Sequence, residues 1–130
     1  MWLSHVAESH CWAKMKPFPA KHELIGFFEC DPEVTDPGVA WFYNHLKFSY
    51  AKRQDTLVCE IEPASGVIDI TWSASGEILG VYRLRRVAGL RITMSPDEEC
   101  LAATFKDSFV EEFILWTKPR VHIQWGLAEF

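Results

Sequence analysis

The chain has 130 residues, a formal net charge of −5 and a high aromatic share, with six Trp and nine Phe. This length predicts a single domain over 1–130 with its own core. The acidic balance argues against nucleic acid as a partner, because proteins that bind it normally present a net basic face. The N-terminus has no secretory pattern and no stretch approaches the ~20 apolar residues of a transmembrane helix. We therefore expect a soluble, reduced, cytoplasmic protein with no membrane partner.

At the N-terminal end, Ser4 can cap a short helix that ends before Pro17, because proline disfavours helical geometry in the residue before it. After Pro17-Phe18-Pro19, the apolar residues within Glu23 to Glu29 predict a short buried strand or edge segment. The next stretch, Asp31 to Gly38, combines two prolines, a glycine and several acids. It predicts a loop, and loops of this length in compact domains are often functional.

The stretch from Phe42 to Met94 alternates apolar and polar residues between short turn signals, which is the pattern of consecutive antiparallel strands. A tight turn at Arg53-Gln54 sets the first register, and loops at 63–66, 74–76 and 87–89 continue it. Gly80 predicts a bulge or a close approach of the backbone. The expected cross-strand pairs are Tyr50 with Leu57, Phe48 with Cys59, Leu46 with Ile61, Ile61 with Ile68, Cys59 with Ile70, Leu57 with Trp72, Trp72 with Ile78, Leu84 with Ile92, and Tyr82 with Met94.

The remaining elements follow the same pattern. Ser95 to Glu99 predicts a turn, and Cys100 to Phe105 alternates again as a strand. A connector over 107–112 leads to two closing strands, Phe113 to Trp116 and Val121 to Trp125. The expected fold class is mostly β (α+β): a curved antiparallel meander sheet or a small β-sandwich of about eight strands, with a short N-terminal helix.

No motif in the chain indicates catalysis, a metal site or a cofactor, and we expect none of these. The four cysteines form no C-x-x-C pair. The spacing of His5, His10 and Cys11, with His22 nearby, is awkward for ligands on one helix face. Cys59 is expected in the core, where burial keeps a thiol inert. The alternation places five further polar residues on outward-facing positions: His45, His122, Glu60, Glu62 and Asp69.

Charge is unevenly distributed along the chain. Residues 1–40 and 95–130 are acidic, whereas 41–94 carry seven bases against five acids. An acidic flank beside a mildly basic sheet fits a basic protein partner through complementary potential. The acids expected to contact such a partner are Glu29, Asp31, Glu33, Asp36, Asp97, Glu98 and Glu99. A second candidate surface consists of Arg83 and Arg85, with Arg91 across a turn, because guanidinium groups suit bidentate contacts with carboxylates.

The meander and the closing stretch Lys118-Pro119-Arg120-Val121-His122-Ile123-Gln124-Trp125-Gly126 resemble small bacterial immunity proteins of polymorphic-toxin and contact-dependent-inhibition systems. The shared features are a compact β-rich domain, an acidic balance, the absence of a catalytic set, and the segment Trp41-Phe42-Tyr43-Asn44-His45 that begins a hairpin. The likeness spans most of residues 38–126 and assigns no functional residue one by one.

The resemblance implies inhibition by binding. The protein would occlude the active site of a cognate toxin, often a nuclease, with an acidic surface that mimics the toxin's anionic substrate. Two other classes stay open from the sequence: a small-molecule-binding β domain whose aromatics line a cavity, and a small enzyme with a site built from His45, His122 and an acid. An unpaired strand at either edge could also support a homodimer by sheet extension.

Overall fold

The structure is a computed structural model that describes residues 15–126. The predicted mostly-β class is confirmed, and the helix predicted from Ser4 falls largely outside the described residues. Within them, no helix has the length and apolar character needed to cross a membrane. The elements are α1 (Lys21–Phe28), β1 (Glu33–Val34), β2 (Leu46–Lys52), β3 (Asp55–Glu62), β4 (Val67–Ala74), β5 (Glu77–Leu84), β6 (Val87–Met94), β7 (Glu99–Phe105), β8 (Phe113–Lys118) and β9 (His122–Gln124), with 3-10 helices at Trp41–Tyr43 and Pro63–Ser65.

The strands form two antiparallel sheets that share one core. Strands β1 to β5 make a five-stranded sheet and β6 to β9 a four-stranded sheet, each in chain order. Buried side chains from both sheets and from α1 form one cluster. Tyr82 of β5 contacts Phe113 of β8 with ring centroids 5.7 Å apart, and Phe28 of α1 stacks on Phe48 of β2 at 4.7 Å. This is the arrangement of a small β-sandwich with a helix packed against it.

The register predicted for the first two hairpins is confirmed. Tyr50 pairs with Leu57 and Phe48 with Cys59, and Cys59 pairs in turn with Ile70. These inward-facing side chains are buried, most of them completely. Side chains alternate between the two faces of a strand, so a slip of one residue would have exposed this whole apolar set.

The third hairpin differs from the expectation, and the predicted pair of Trp72 with Ile78 is wrong. The turn has two residues, Ser75 and Gly76, both with positive φ, and Trp72 lies opposite Gly80 because Leu79 is an extra residue in β5. The bulge predicted at Gly80 is confirmed. A Cβ at Gly80 would lie 2.6 Å from the ring of Tyr82, so the bulge also needs the absence of a side chain there.

The fourth predicted hairpin is also wrong, because the chain changes sheet where that hairpin was expected. The pairs of Leu84 with Ile92 and of Tyr82 with Met94 do not form: Leu84 pairs with Ile68, and the strand that pairs with β6 among the described residues is β7. The change of sheet occurs at Arg85-Arg86, where Arg86 has a φ of 57°. The segment 87–89, expected as a loop, is the start of β6.

The segment expected as a short strand over Glu23 to Glu29 is the helix α1 instead. Its buried residues are Leu24, Phe27 and Phe28, which is the i, i+3, i+4 spacing of one helix face. A carboxylate oxygen of Glu23 accepts the backbone N–H of Ala20 at 2.8 Å and so satisfies a free donor at the helix start.

Other expected elements agree with the structure apart from their ends. The loop over 31–38 contains the two-residue strand β1, which pairs with β2. The turn after β6 is closed by a hydrogen bond from the backbone N–H of Ser95 to the carbonyl of Glu98 at 2.9 Å. The strands predicted from Cys100 and Phe113 form β7 and β8, while β9 is shorter than predicted.

The first half of the outer edge of β6 is covered by residues 15–17, which we call the N-terminal strap. The backbone N–H of Lys16 donates to the carbonyl of Ala88 at 2.7 Å, and that of Leu90 donates to the carbonyl of Pro17 at 2.8 Å. The strap approaches so closely that a Cβ at Gly89 would lie 2.8 Å from the carbonyl oxygen of Lys16. A covered edge cannot pair with another chain.

Candidate partner-binding surfaces

The outer face of the five-stranded sheet carries one charged residue on each strand, aligned across the sheet. Glu33 lies opposite Lys47, and Lys47 opposite Glu60. Glu60 lies opposite Asp69, which lies opposite Arg83. Directly opposed side chains on one face are about 5 Å apart at Cβ, so these five residues form a continuous line, which we call the charged row. The predicted outward placement of Glu60 and Asp69 is confirmed.

His45, immediately before β2, joins the charged row to Glu62. Its Nδ1 lies 2.8 Å from a carboxylate oxygen of Glu62, and its Nε2 lies 2.8 Å from one of Glu60. The hydrogen bond with Glu62 is the main cause that raises the pKa of His45; partial burial opposes it, and Glu60 raises the pKa further. A protonated imidazole donates from both nitrogens, so the ring can link both carboxylates.

Asn44 holds the loop that places His45 and Asp36. Its side-chain oxygen accepts the backbone N–H groups of Asp36 at 3.1 Å and His45 at 3.0 Å. Its amide nitrogen donates to the backbone carbonyls of Asp36 at 2.6 Å and Val39 at 3.0 Å. Asn44 is buried, and these bonds satisfy the backbone groups of a loop that has no strand partner of its own. The sequence contained no signal for this role.

The first group of predicted acids lies along the edge of β2 at which β1 pairs. Cys30 donates its thiol to the carbonyl of Ser49 at 3.0 Å, and the backbone N–H of Thr35 donates to the carbonyl of His45 at 3.3 Å, so segment 29–36 follows that strand. Its four acids are all exposed. We call them the acidic edge: Glu29, Asp31, Glu33 and Asp36.

The second group of predicted acids is divided by burial. Asp97 and Glu98 are exposed in the turn between β6 and β7. Glu99 is only 6% exposed and forms an ion pair with Nζ of Lys118 at 2.8 Å, which leaves it little surface for a partner.

Glu29 of the acidic edge and Glu99 at the start of β7 both act on the buried Tyr50. Burial is the main cause that raises the pKa of Tyr50, and the charges of Glu29 and Glu99 raise it further. Hydrogen bonding to Glu99 is the main cause that raises the pKa of Lys118, and Glu29 contributes. Glu29 and Glu99 therefore both contribute to the electrostatic environment of Tyr50 and Lys118.

The predicted arginine surface is only partly assembled. Arg83 and Arg85 are both exposed near the end of β5, and Arg85 forms an ion pair with Asp69 at 2.8 Å. Arg91 lies in β6, opposite Ala102 of β7, and so belongs to the other sheet. The expectation that Arg91 lies across a turn from the other two arginines is wrong.

Sequence reasoning missed an exposed apolar patch on β5, which is an edge strand of the five-stranded sheet. Ile78, Leu79 and Val81 are 65%, 54% and 49% exposed. Strict alternation places Ile78 on the inner face, but the extra residue Leu79 reverses the alternation before Gly80. We call these three residues the apolar patch. Adjacent exposed apolar side chains of this kind mark interaction sites in many proteins.

The structure does not assemble the other sites considered from the sequence. His122 lies on β9, where its ring packs on Trp116 with centroids 5.2 Å apart, in a different sheet from the strand that follows His45. Cys59 is fully buried as predicted, and burial raises the pKa of its thiol. His5, His10 and Cys11 lie outside the described residues. Residues 15–126 contain no group of three or more His, Cys, Asp or Glu side chains that could hold a metal ion.

No family model and no curated protein matches the sequence. The fold is similar to that of a chain in the contact-dependent growth inhibition toxin - immunity protein complex from Klebsiella pneumoniae 342, with a TM-score of 0.73. The superposition covers 90% of the present chain and 99% of that chain, at 13% sequence identity. The resemblance inferred from the sequence is thus confirmed in the fold.

Proposed function

We propose that this chain is a bacterial immunity protein that acts in the cytoplasm, where it binds a cognate toxin and occludes its active site. The observation that carries the proposal is the fold shared with a chain of a toxin–immunity protein complex over 90% of the present chain. Fold alone does not determine function, so the proposal also rests on the charge and arrangement of the surfaces described above.

The charge of the chain favours the immunity role over the toxin role. The net charge is −5, whereas a toxin that cleaves nucleic acid needs a basic face for the phosphates. An inhibitor of such a toxin needs the opposite charge, because complementary potentials speed association and select the partner. The acidic edge supplies this charge on exposed side chains.

The contact surface that we propose is the outer face of the five-stranded sheet together with the acidic edge. Five strands spaced about 4.8 Å apart span on the order of 20 Å, which suits an interface of about 800 Å² on each partner. The acidic edge at β1 would meet basic groups of the toxin. The apolar patch on β5, at the opposite side of the same face, would become buried against the toxin. Interfaces commonly combine a buried apolar area with a polar rim.

Individual residues have separate roles in this proposal. The acids that would stand in for substrate phosphates are Glu29, Asp31, Glu33 and Asp36. Asp97 and Glu98, in the turn between β6 and β7, would contribute only to a partner that reaches the second sheet. Arg83 and Arg85 would contact carboxylates of the toxin, and Arg91 would contribute only to a partner that reaches the second sheet. Glu99 is assigned to its ion pair with Lys118 instead.

The test is a growth assay in bacteria that produce the toxin domain encoded beside this gene, combined with toxin-binding kinetics at several salt concentrations. Wild-type protein should restore growth. The double variant Glu29→Lys/Asp31→Lys should slow association about 10- to 100-fold and reduce its salt dependence, because steering by opposite charge is lost. The matched control is Glu111→Lys/Glu112→Lys, which makes the same charge change at two exposed acids between β7 and β8.

The outcomes separate the role from the surface. If wild-type protein fails to protect, or if its production alone stops growth, the immunity role is wrong. If both double variants slow association equally, the chain remains an immunity protein but the acidic edge is not its contact surface.

A further inference from the structure

A cleft of about 320 Å³ lies where the turn between β2 and β3 faces the turn between β8 and β9. It is therefore bounded by one turn from each sheet, at one end of the sandwich. Its lining includes Lys52 and Arg53 from the first turn, Arg120 from the second, and Val121, which is buried. The lining shares no residue with the acidic edge or the apolar patch.

The cleft has three cationic side chains without a carboxylate partner. Arg85, Arg86 and Lys118 are held in ion pairs elsewhere in the protein. The cations of the cleft are Lys52, Arg53 and Arg120. None of the ion pairs formed by the described residues includes them. One acid, Asp55, also lines the cleft. Its oxygen Oδ1 already accepts the indole N–H of Trp72 at 2.9 Å.

The backbone holds Arg53 at the cleft in a conformation that non-glycine residues rarely adopt. Its φ is 57°, in the left-handed region. The next residue, Gln54, is tied to the neighbouring hairpin because its carbonyl accepts the backbone N–H of Ser75 at 3.0 Å and its side chain hydrogen-bonds the Ser75 hydroxyl at 3.0 Å. The positive φ belongs to the two-residue turn of this hairpin, as at Ser75 in the next one, so the backbone that carries Arg53 is fixed before a ligand arrives.

We propose that this cleft binds the phosphate monoester group of a small molecule, up to the size of a nucleotide. Three cations and one acid give the lining a net charge of two positive units, which matches the charge of a phosphate monoester near pH 7, about −1.5 to −2. Two guanidinium groups can each offer a pair of donors to phosphate oxygens. The volume is at the lower end of the range for ligand pockets, roughly 300–1,000 Å³.

The test is a titration of the isolated protein followed by backbone amide NMR and calorimetry at constant ionic strength. The ligands are inorganic phosphate, a nucleoside 5′-monophosphate, the matching nucleoside, and succinate. The two phosphate compounds should bind saturably and shift the amides of Arg53 and Arg120, whereas the nucleoside and succinate should not. Arg53→Gln and Arg120→Gln should each weaken binding about tenfold, because each removes a charge-assisted contact.

The control variant is Arg91→Gln, which removes an exposed arginine from β6 and should bind phosphate like the wild type. The proposal is overturned if no phosphate compound saturates, if succinate binds as tightly, or if Arg91→Gln weakens binding as much as the cleft variants. Two cleft variants on different turns keep the result interpretable if one of them folds poorly. The experiment contains no toxin, so its failure and the failure of the immunity role are independent.

Discussion

At the scale of single residues, His45 is the clearest case of a side chain whose state depends on its neighbours. Glu60 and Glu62 leave β3 on the same face and both contact the imidazole at 2.8 Å. A neutral ring has one N–H and would leave one carboxylate facing a lone pair, whereas the protonated ring satisfies both. The raised pKa of His45 follows from this arrangement.

Replacing His45 with Gln should therefore destabilise the protein more at acidic than at basic pH. The pKa of His45 in the folded protein is raised above its ordinary value of 6.5. The stabilisation is fully present below that ordinary value and is lost as the pH rises through the folded value. Urea unfolding near pH 6 should give a loss of up to about 1 kcal/mol, because the pair is partly exposed. The loss should be smaller near pH 8.5; a pH-independent difference would contradict the expectation.

The ion pair between Glu99 and Lys118 predicts an unequal effect of removing either partner. Lys118→Met should lower the urea midpoint more than Glu99→Gln, because it leaves a carboxylate that is only 6% exposed without its cation. Glu99→Gln should lower the midpoint less, because a neutral amide oxygen can still accept a hydrogen bond from Nζ of Lys118. The double variant should recover part of the loss of Lys118→Met. An equal effect of both single variants would show that burial of Glu99 does not matter.

At the scale of elements, the two edge strands of the four-stranded sheet differ in length and in what covers them. The edge strand β6 is eight residues long, and the N-terminal strap is hydrogen-bonded to it at Ala88 and Leu90, whereas β9 has only three residues. Long uncovered edges invite pairing with other chains, and very short edge strands do not. Sheet extension into a homodimer would therefore use the edge at β5 or the part of β6 beyond Leu90.

Gly89→Ala should loosen the strap. The added Cβ would lie 2.8 Å from the carbonyl oxygen of Lys16, so strap or strand must move, at a cost of about 1–3 kcal/mol in free energy of unfolding. Amide exchange at Leu90, which donates to Pro17, should speed up. Gly38→Ala is the control, because its Cβ would be 3.6 Å from the nearest atom, a side-chain oxygen of Asp36. If the two variants unfold alike, the strap contributes no stability.

Elements defined by local patterns could be predicted from the sequence, and those defined by packing could not. The first two hairpins followed from apolar pairs such as Phe48 with Cys59. The helix α1 was missed because three apolar residues in so short a run fit a strand as well as a helix face. The glycine at position 80 predicted the bulge. It did not predict that the extra residue Leu79 would place Ile78 on the exposed face.

At the scale of the whole molecule, the change of sheet at Arg85-Arg86 decides the architecture. The apolar residues Leu84 and Val87 are buried on both sides of that point. The apolar alternation along β6 is the same whether β6 pairs with β5 or begins a new sheet. Only contacts between residues distant in sequence, such as Tyr82 with Phe113, distinguish these two placements. The burial of Glu99 and the exposure of the apolar patch depend on the same distant contacts. By contrast, the acids of the acidic edge could be identified from the local sequence alone, because they lie in a loop rich in proline and acidic residues.

The division of the chain at Arg85-Arg86 also has a kinetic consequence. Every ladder between the described strands β1 to β9 joins strands that are consecutive in the sequence, so each forms by closing a short loop at a small entropic cost. Sandwiches with long crossover connections have a higher contact order and fold more slowly. As the chain leaves the ribosome, the ladders of β1 to β5 can pair once Leu84 has emerged. The face proposed to meet the toxin could then be in register before synthesis of the second sheet is complete.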